Sequence, residues 1–227
     1  MTEAKPFNRS KICFILAACA AVLSIVLTIL ILTVDVRPIG PEESEVGLAG
    51  LNAAIAAHLF YNRTAHNITE WLGYAAVAVI VAYFCLGVYQ LIRRRSPLKV
   101  DRHILLLGGF YALLLAVYLF FEFVPVNYRP MILDIDKGLE SSFPSSHTML
   151  AVCVFLTLPM QPEIKRIKNR RVFTAVCAVC VAFAAETVVL RFVAGVHWAT
   201  DIIGGLLISA ALIFLYRGFY DKLILKN

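Results

Sequence analysis

Long apolar stretches separated by short polar segments dominate the pattern of this chain. Six of them approach the roughly 20 apolar residues that a helix needs to cross a bilayer core. They cover residues 12–34, 71–92, 104–124, 145–160, 172–190 and 198–216. The fourth is short for a span, so it would need residues from its flanks or a locally thin bilayer. The pattern predicts an all-α fold: an integral membrane six-helix bundle that forms a single domain over residues 1–227.

The positions of the basic residues predict how these helices cross the membrane. The segments before the first stretch, after the second, after the fourth and after the sixth hold 16 of the 21 lysines and arginines. Because positive charge is retained on the cytoplasmic side, we expect these segments, and both chain termini, in the cytoplasm. The first stretch follows basic residues, as in a signal peptide. Its length and the absence of a small-residue cleavage site favour a retained helix.

The loop between the first two stretches, residues 35–70, is acidic and lies on the outer side in this topology. Within it, residues 47–60 are mildly amphipathic. They fit either a helix along the membrane surface or an ordinary packed loop helix. Asn62 and Asn67 begin glycosylation sequons, which matter only if the source organism glycosylates.

Composition agrees with a membrane protein and excludes other classes. The chain is 60% hydrophobic and 16% charged, with a mean hydropathy of +0.80, whereas a soluble domain carries more charge. The net charge of +6 does not predict nucleic-acid binding, because the basic residues form short runs between apolar segments. The six cysteines lie inside apolar stretches and are interpreted as buried hydrophobic residues, although the spacing of Cys177 and Cys180 also fits a redox or zinc pair.

Two histidine motifs stand at the outer ends of the apolar stretches. One, residues 144–147, is Pro-Ser-Ser-His at the start of the fourth stretch. The other runs from Arg191 through His197 to Asp201, between the fifth stretch and the sixth, and Arg129 follows the third. The topology therefore places all of these residues at one depth on the outer face. Ionisable residues at such positions are costly and are functional by default.

These residues suit the binding of a phosphate. Arg129 and Arg191 can hold its oxygens through bidentate guanidinium contacts. The start of the fourth helix offers free backbone N–H groups to the same anion. Ser145 and Ser146 add hydroxyl donors there.

They also suit phosphoryl transfer. His197 and Asp201 are four residues apart and share one face of a helix start, so Asp201 can fix the tautomer of His197. The other ring nitrogen of His197 is then free to attack phosphorus, and His147 is available to protonate the leaving oxygen. No cluster of carboxylates indicates a metal site, and the arginines can neutralise the developing charge.

Taken singly, each of these residues has a simpler interpretation. A membrane histidine more often hydrogen-bonds between helices, and Pro-Ser-Ser begins many ordinary helices. Arg191 would also suit an anchor at the lipid headgroups. The combination of all of them on one face favours the catalytic interpretation.

The residues resemble the motifs of a known family, the type 2 phosphatidic acid phosphatases, which are membrane relatives of the vanadium haloperoxidases. The family's motifs are K-x6-R-P, P-S-G-H and S-R-x5-H-x3-D. Arg129-Pro130 matches the end of the first motif. Residues 144–147 match the second with Ser146 in place of glycine, and residues 190–201 match the third with Leu190 in place of serine. The matched region covers about half of the chain.

One position departs from the family in a way that changes the charge. The lysine of the first motif should stand seven residues before Arg129, and this chain has Glu122 there. A carboxylate repels a bound phosphate unless it is protonated or paired. Lys137, in the outer loop before the second motif, is the candidate for supplying the missing positive charge.

The resemblance implies a role for each matched residue. His197 would be the nucleophile that forms a phosphohistidine, Asp201 would orient it, and His147 would be the acid for the leaving group. Arg129 and Arg191 would bind the phosphate. The resemblance also implies a metal-independent reaction, without a cofactor, on lipid phosphates or diphosphates.

The expected protein is a multi-pass cell-membrane phosphatase with an outward-facing active site, whose catalytic core covers about residues 104–216. Its substrate would be a polyprenyl diphosphate, phosphatidic acid or phosphatidylglycerol phosphate, and its partners membrane lipids rather than nucleic acid. The sequence leaves two alternatives open. One is a phosphatase of the same mechanism acting on a soluble ester, and the other is a non-catalytic lipid-phosphate binder or transporter.

Overall fold

Helices make up the regular structure of the chain. A computed structural model describes residues 6–225. Its helices are α1 Pro6–Thr33, α2 Ala49–Ala56, α3 Arg63–Arg94, α4 Arg102–Phe123, α5 Ser146–Thr157, α6 Pro162–Lys165, α7 Arg170–Val193 and α8 Ala199–Leu223, with 3₁₀ turns at Pro41–Glu43, Pro97–Lys99 and Leu158–Met160. Extended residues pair only in isolated bridges within these residues. The all-α prediction is confirmed for the described part of the chain.

Among the described helices, α1, α3, α4, α7 and α8 are long and apolar enough to cross a membrane. Large apolar side chains such as Ile15, Trp71 and Val181 are exposed on their outer faces. Lipid accommodates such surfaces without the penalty that water imposes. The chain is therefore a multi-pass membrane protein. The fourth predicted stretch forms α5, whose 12 residues continue into the turn Leu158–Met160, so the count of six spans stays a prediction.

The cytoplasmic position of both termini also stays a prediction. Residues 1–5 and 226–227, which include Lys5 and Lys226, lie outside the described residues. Next to them, α1 packs along α8. The Ser10 hydroxyl near the start of α1 donates a hydrogen bond to the carbonyl oxygen of Gly218, near the end of α8, at 2.9 Å. The two helices are therefore antiparallel, and these two ends lie on the same side of the bundle.

The short helix α5 lies at the centre of the bundle, where it packs against α3, α7 and α8. A close approach between α8 and the start of α5 depends on two glycines. A Cβ atom on Gly204 would lie 2.3 Å from the ring of Phe143, and one on Gly205 would lie 3.1 Å from the carbonyl oxygen of Ser145. These glycines let the two helix starts that carry the histidine motifs lie side by side.

The outer loop contains the predicted helix, and the structure shows where it packs. Helix α2 buries Ala49 and Asn52 against the start of α8. The Asn52 side chain donates to the Thr200 hydroxyl at 3.0 Å and accepts from the Thr200 N–H at 3.3 Å. The outer loop thus fixes the first turn of α8. Its position along a membrane surface stays a prediction.

Candidate active site

The start of α8 holds a buried aspartate in its first turn and a buried histidine just before the helix. Nδ1 of His197 lies 3.5 Å from Oδ2 of Asp201, and 4% and 0% of the two residues are exposed. Asp201 accepts the Trp198 N–H at 2.9 Å and the Asn127 side-chain N–H at 3.4 Å. The carboxylate is therefore held in place by the turn that it caps and by the loop after α4. Asn127 was not identified from the sequence.

Arg129 faces the other nitrogen of the histidine. Its Nη1 lies 3.5 Å from Nε2 of His197, and its Nε lies 3.3 Å from a carboxylate oxygen of Glu140. The arginine is positioned by its neighbour Tyr128, whose carbonyl accepts the Trp198 indole N–H at 2.7 Å. A cation facing Nε2 is consistent with a ring whose proton is on Nδ1, toward the aspartate.

The protonation of His197 follows from this environment. Burial, reinforced by the positive charges of Arg129 and Arg191, lowers the pKa of His197 well below that of an ordinary histidine. The ring is therefore neutral at neutral pH. With the proton on Nδ1, the lone pair of Nε2 faces the Arg129 guanidinium, which is the arrangement that a nucleophile for an anionic phosphate needs.

Arg191 and His147 meet at a carboxylate that sequence reasoning missed. Glu70 Oε1, on α3, lies 2.6 Å from Nη2 of Arg191 and 3.2 Å from Nε2 of His147. Nδ1 of His66, one turn before Glu70, lies 3.1 Å from Nη1 of Arg191. The sequence did carry a signal, because His66 and Glu70 are four residues apart at the start of an apolar helix that Asn62 caps.

The other predicted phosphate ligands differ in how far they are buried. Ser145 is fully buried, and its N–H donates to the backbone carbonyl of Asp201 at 3.0 Å. Ser146 opens α5 and lines the polar pocket next to His197. Lys137 is exposed at the surface, with its ammonium 3.5 Å from Asp134 and 3.8 Å from Glu140. A direct contact between Lys137 and phosphate stays a prediction.

A small polar pocket joins several of these groups. Its volume is about 100 Å³, and its walls include Glu122, Arg129, Glu140, Ser146 and His197. Glu122 therefore faces the same space as the arginine and the histidine. The carboxylate that replaces the family's lysine is part of the pocket wall.

An apolar cavity adjoins the polar pocket. It has a volume of about 420 Å³ and lies between α3, α4 and α5, among side chains such as Val77, Leu114 and Leu150. The two spaces share Tyr118, Ser146 and Met149 as walls, and His147 lines the apolar one. A polar site for an anion thus stands beside a space that suits hydrocarbon.

The chain has recognisable relatives. Residues 122–224 match the PAP2 superfamily. Over 101 residues the chain is 35% identical to phosphatidylglycerophosphatase B of Bacillus subtilis (strain 168); the match covers 42% of this chain and 47% of that protein, so the chain spans about half the length of this curated relative. The crystal structure of a transmembrane PAP2 type phosphatidylglycerolphosphate phosphatase from Bacillus subtilis has a similar fold, with a TM-score of 0.58, 19% identity, and coverage of 92% of this chain and 97% of that one. Residues 122–224 of the chain therefore resemble the PAP2 superfamily in sequence, and the chain as a whole has the fold of a transmembrane PAP2 type phosphatase.

Proposed function

We propose that this protein is a membrane-embedded phosphatase that hydrolyses a phosphomonoester or diphosphate on a lipid. The observation that carries the proposal is the pair of adjoining spaces. The polar pocket contains His197 and Arg129, and the cavity of about 420 Å³ beside it is lined mainly by apolar side chains. The first space suits a phosphate and the second suits the chain of an amphiphile.

The proposed reaction has two steps, with His197 as the nucleophile. Nε2 of His197 attacks phosphorus, the bond from phosphorus to the leaving oxygen breaks, and His147 gives that oxygen a proton. Asp201 stabilises the positive charge that forms on the ring of His197. Water then attacks the phosphohistidine, His147 takes a proton from that water, and phosphate leaves with the His197 ring restored.

Charge neutralisation is assigned to the two arginines. Arg129 and Arg191 hold the equatorial oxygens, whose negative charge must be balanced in the transition state. No metal has a role in this scheme, so phosphate release should continue in the presence of EDTA. The active site faces outward, which follows from the predicted cytoplasmic position of most lysines and arginines.

A substrate panel tests the proposal. The purified chain in detergent would be given phosphatidylglycerol phosphate, phosphatidic acid, a polyprenyl diphosphate and soluble glucose 6-phosphate, with released phosphate measured. The first is included because a relative is named for it. We expect turnover of at least one lipid and much slower turnover of the sugar phosphate. Faster release from the sugar phosphate would favour a soluble substrate, and binding of lipid without turnover would refute the enzyme.

The pH dependence of turnover provides a second test, through Arg129. Because only neutral His197 attacks, and its pKa is lowered, the acid limb of kcat/KM should lie below the ordinary histidine value of about 6.5. Arg129→Gln removes a positive charge that disfavours protonation, so the pKa of His197 rises and the acid limb moves to higher pH. Arg63→Gln, at an exposed arginine, is the control. An acid limb that stays in place in Arg129→Gln would contradict the assigned role.

The charges around the polar pocket predict opposite effects of two substitutions on KM. Glu122→Gln removes a carboxylate from the wall, and with it the repulsion between that carboxylate and the bound phosphate. It should lower KM about fivefold, since the interaction of two unit charges about 4 Å apart in water is worth about 1 kcal/mol. Lys137→Ala removes a cation close to Glu140 and should raise KM. Glu186→Gln, on the exposed face of α7, is the control. Unchanged kinetics in Lys137→Ala would eliminate any part for that lysine in phosphate binding.

A further inference from the structure

A carboxylate outside the family's motifs contacts the predicted general acid. Oε1 of Glu70 lies 3.2 Å from Nε2 of His147 and 2.6 Å from Nη2 of Arg191. Glu70 belongs to α3, in the half of the chain that precedes the matched residues 122–224. The matched region therefore does not include it.

The two histidines of the site are paired with carboxylates through opposite ring nitrogens. Asp201 stands against Nδ1 of His197, which leaves Nε2 to face the pocket. Glu70 stands against Nε2 of His147, which leaves Nδ1 as the other functional atom. That Nδ1 is buried and has no hydrogen-bond partner among the described residues. Because Glu70 occupies Nε2, Nδ1 is the ring nitrogen of His147 that remains available to a substrate.

The surface of α3 is shaped for the His147 ring. Gly73 lies three residues after Glu70, on the same side of the helix. A Cβ atom at Gly73 would lie 3.1 Å from Cδ2 and 3.4 Å from Nε2 of His147. The glycine therefore leaves the space that the ring occupies, while the carboxylate one turn away fixes its orientation.

We propose that Glu70 is the positioning residue for the general acid. It holds Nε2 of His147 and stabilises the protonated ring, so that Nδ1 delivers its proton to the leaving oxygen as the bond to phosphorus breaks. This role rests on the proposed phosphatase function and deepens it. Glu70 acts through His147 and does not touch the reacting atoms.

The charges around His147 explain why such a carboxylate is needed. Burial disfavours a positive charge on the ring, and so do Arg191 from α7 and Arg129 from the loop after α4. His66, on α3, is a further titratable group in this cluster. Glu70 is the carboxylate that opposes them at hydrogen-bond distance. With both arginines required for phosphate, a charged acid at this position needs a negative partner.

The decisive experiment compares the effect of Glu70→Gln on two substrates that differ in their leaving groups. A lipid phosphate has an alkoxide leaving group that needs a proton, whereas p-nitrophenyl phosphate releases an aryl oxide that does not. We expect Glu70→Gln to lower kcat/KM for the lipid phosphate on the order of 100-fold, the scale of general acid catalysis, and kcat/KM for p-nitrophenyl phosphate less than about threefold. The comparison uses kcat/KM because this ratio excludes the later attack of water, in which His147 acts as a base for both substrates. If Glu70 served only to hold Arg191, both substrates would slow equally, and that result would overturn the proposal.

A double-mutant cycle tests whether Glu70 acts through His147. In a His147→Asn background, Glu70→Gln should cause no further loss on the lipid phosphate, because the group that it positions is already gone. Full additivity of the two losses would refute the assignment. Glu163→Gln is a matched control, since Glu163 forms a similar pair with His103, 2.9 Å long, at the opposite end of the bundle. It should leave the ratio between the two substrates unchanged.

Gly73→Ala extends the test to a variant that leaves all charges in place. Glu70→Gln leaves the Arg191 cation without its partner, which can prevent folding. The added methyl group of Gly73→Ala instead displaces the His147 ring by a few tenths of an ångström. We expect the same selective loss on the lipid phosphate, and an equal loss on both substrates would contradict the proposal. Absence of turnover of both substrates by the unmodified chain would overturn the phosphatase function and this role with it.

Discussion

His197→Ala abolishes phosphate release from every substrate, with an expected loss on the order of 10⁴-fold or more. The loss is large because the proposed intermediate is a covalent bond to Nε2, and none of the neighbouring groups stands in the same place. Arg129 is a cation next to this nitrogen, and Asp201 lies behind the ring. Stopped reactions with labelled substrate would show an acid-labile phosphoryl group on the unmodified chain and none on the variant.

His197→Ala should fold as the unmodified chain does, so the loss of phosphate release can be assigned to the missing imidazole. Asp201 keeps its hydrogen bonds from Trp198 and Asn127 when the imidazole is removed. His58→Ala is the matched control, since His58 is an exposed histidine just after α2. It should leave turnover unchanged. Phosphate release that persists in His197→Ala, or a label that appears on another residue, would refute the assigned nucleophile.

The helices could be predicted from the sequence because hydrophobic length is a direct signal for a helix in a membrane. Each of the six predicted stretches coincides with a helix, and α5 is the short one, as expected. What the sequence did not contain was the packing. The central position of α5 depends on the close approach that Gly204 and Gly205 allow. Glycine pairs also occur in apolar helices that have no such close neighbour, so the pair alone did not predict the contact.

The site could be predicted only where its residues formed motifs. Arg129 and His197 face each other, as the shared depth of the helix ends predicted. Glu70 and Asn127 were missed for different reasons. In the sequence, Glu70 is the last residue of the predicted polar loop 35–70, where a carboxylate is usually solvated. Asn127 lies in the long loop between α4 and α5 and has no spacing signal. Only the tertiary structure brings each of them to a predicted catalytic residue, Glu70 to His147 and Asn127 to Asp201.

One departure from the family's motifs, at the position of the serine before Arg191, is accommodated by apolar packing. Leu190 occupies that position, and it packs against a small cluster of Ala65, Ala194 and Val196. That cluster joins the start of α3 to the end of α7. The leucine thus supports the contact between the two helices that bring Glu70 and Arg191 together. In this chain, an apolar contact replaces a hydroxyl beside the buried arginine.

Asp201→Asn should lower kcat on the order of 10³- to 10⁴-fold with little change in KM. The reason is the geometry around the carboxylate, because both of its oxygens face hydrogen-bond donors. Oδ2 accepts the Trp198 N–H and lies 3.5 Å from Nδ1 of His197, and Oδ1 accepts from Asn127. An asparagine in either orientation turns its amide N–H₂ toward one of these donors, which costs about 1–3 kcal/mol of stability.

The loss of rate follows from the tautomer of His197. Without a carboxylate against Nδ1, the ring is no longer held with its proton on that atom, and the positive charge of the intermediate has no counter-ion. Asp221→Asn is a matched control, because Asp221 is a buried aspartate on the same helix, paired with Arg217 at 2.9 Å at the far end. It should change stability but not kcat. Steady-state kinetics and thermal unfolding of both variants separate the two effects. A kcat in Asp201→Asn close to that of the unmodified chain would mean that His197 needs no orienting carboxylate.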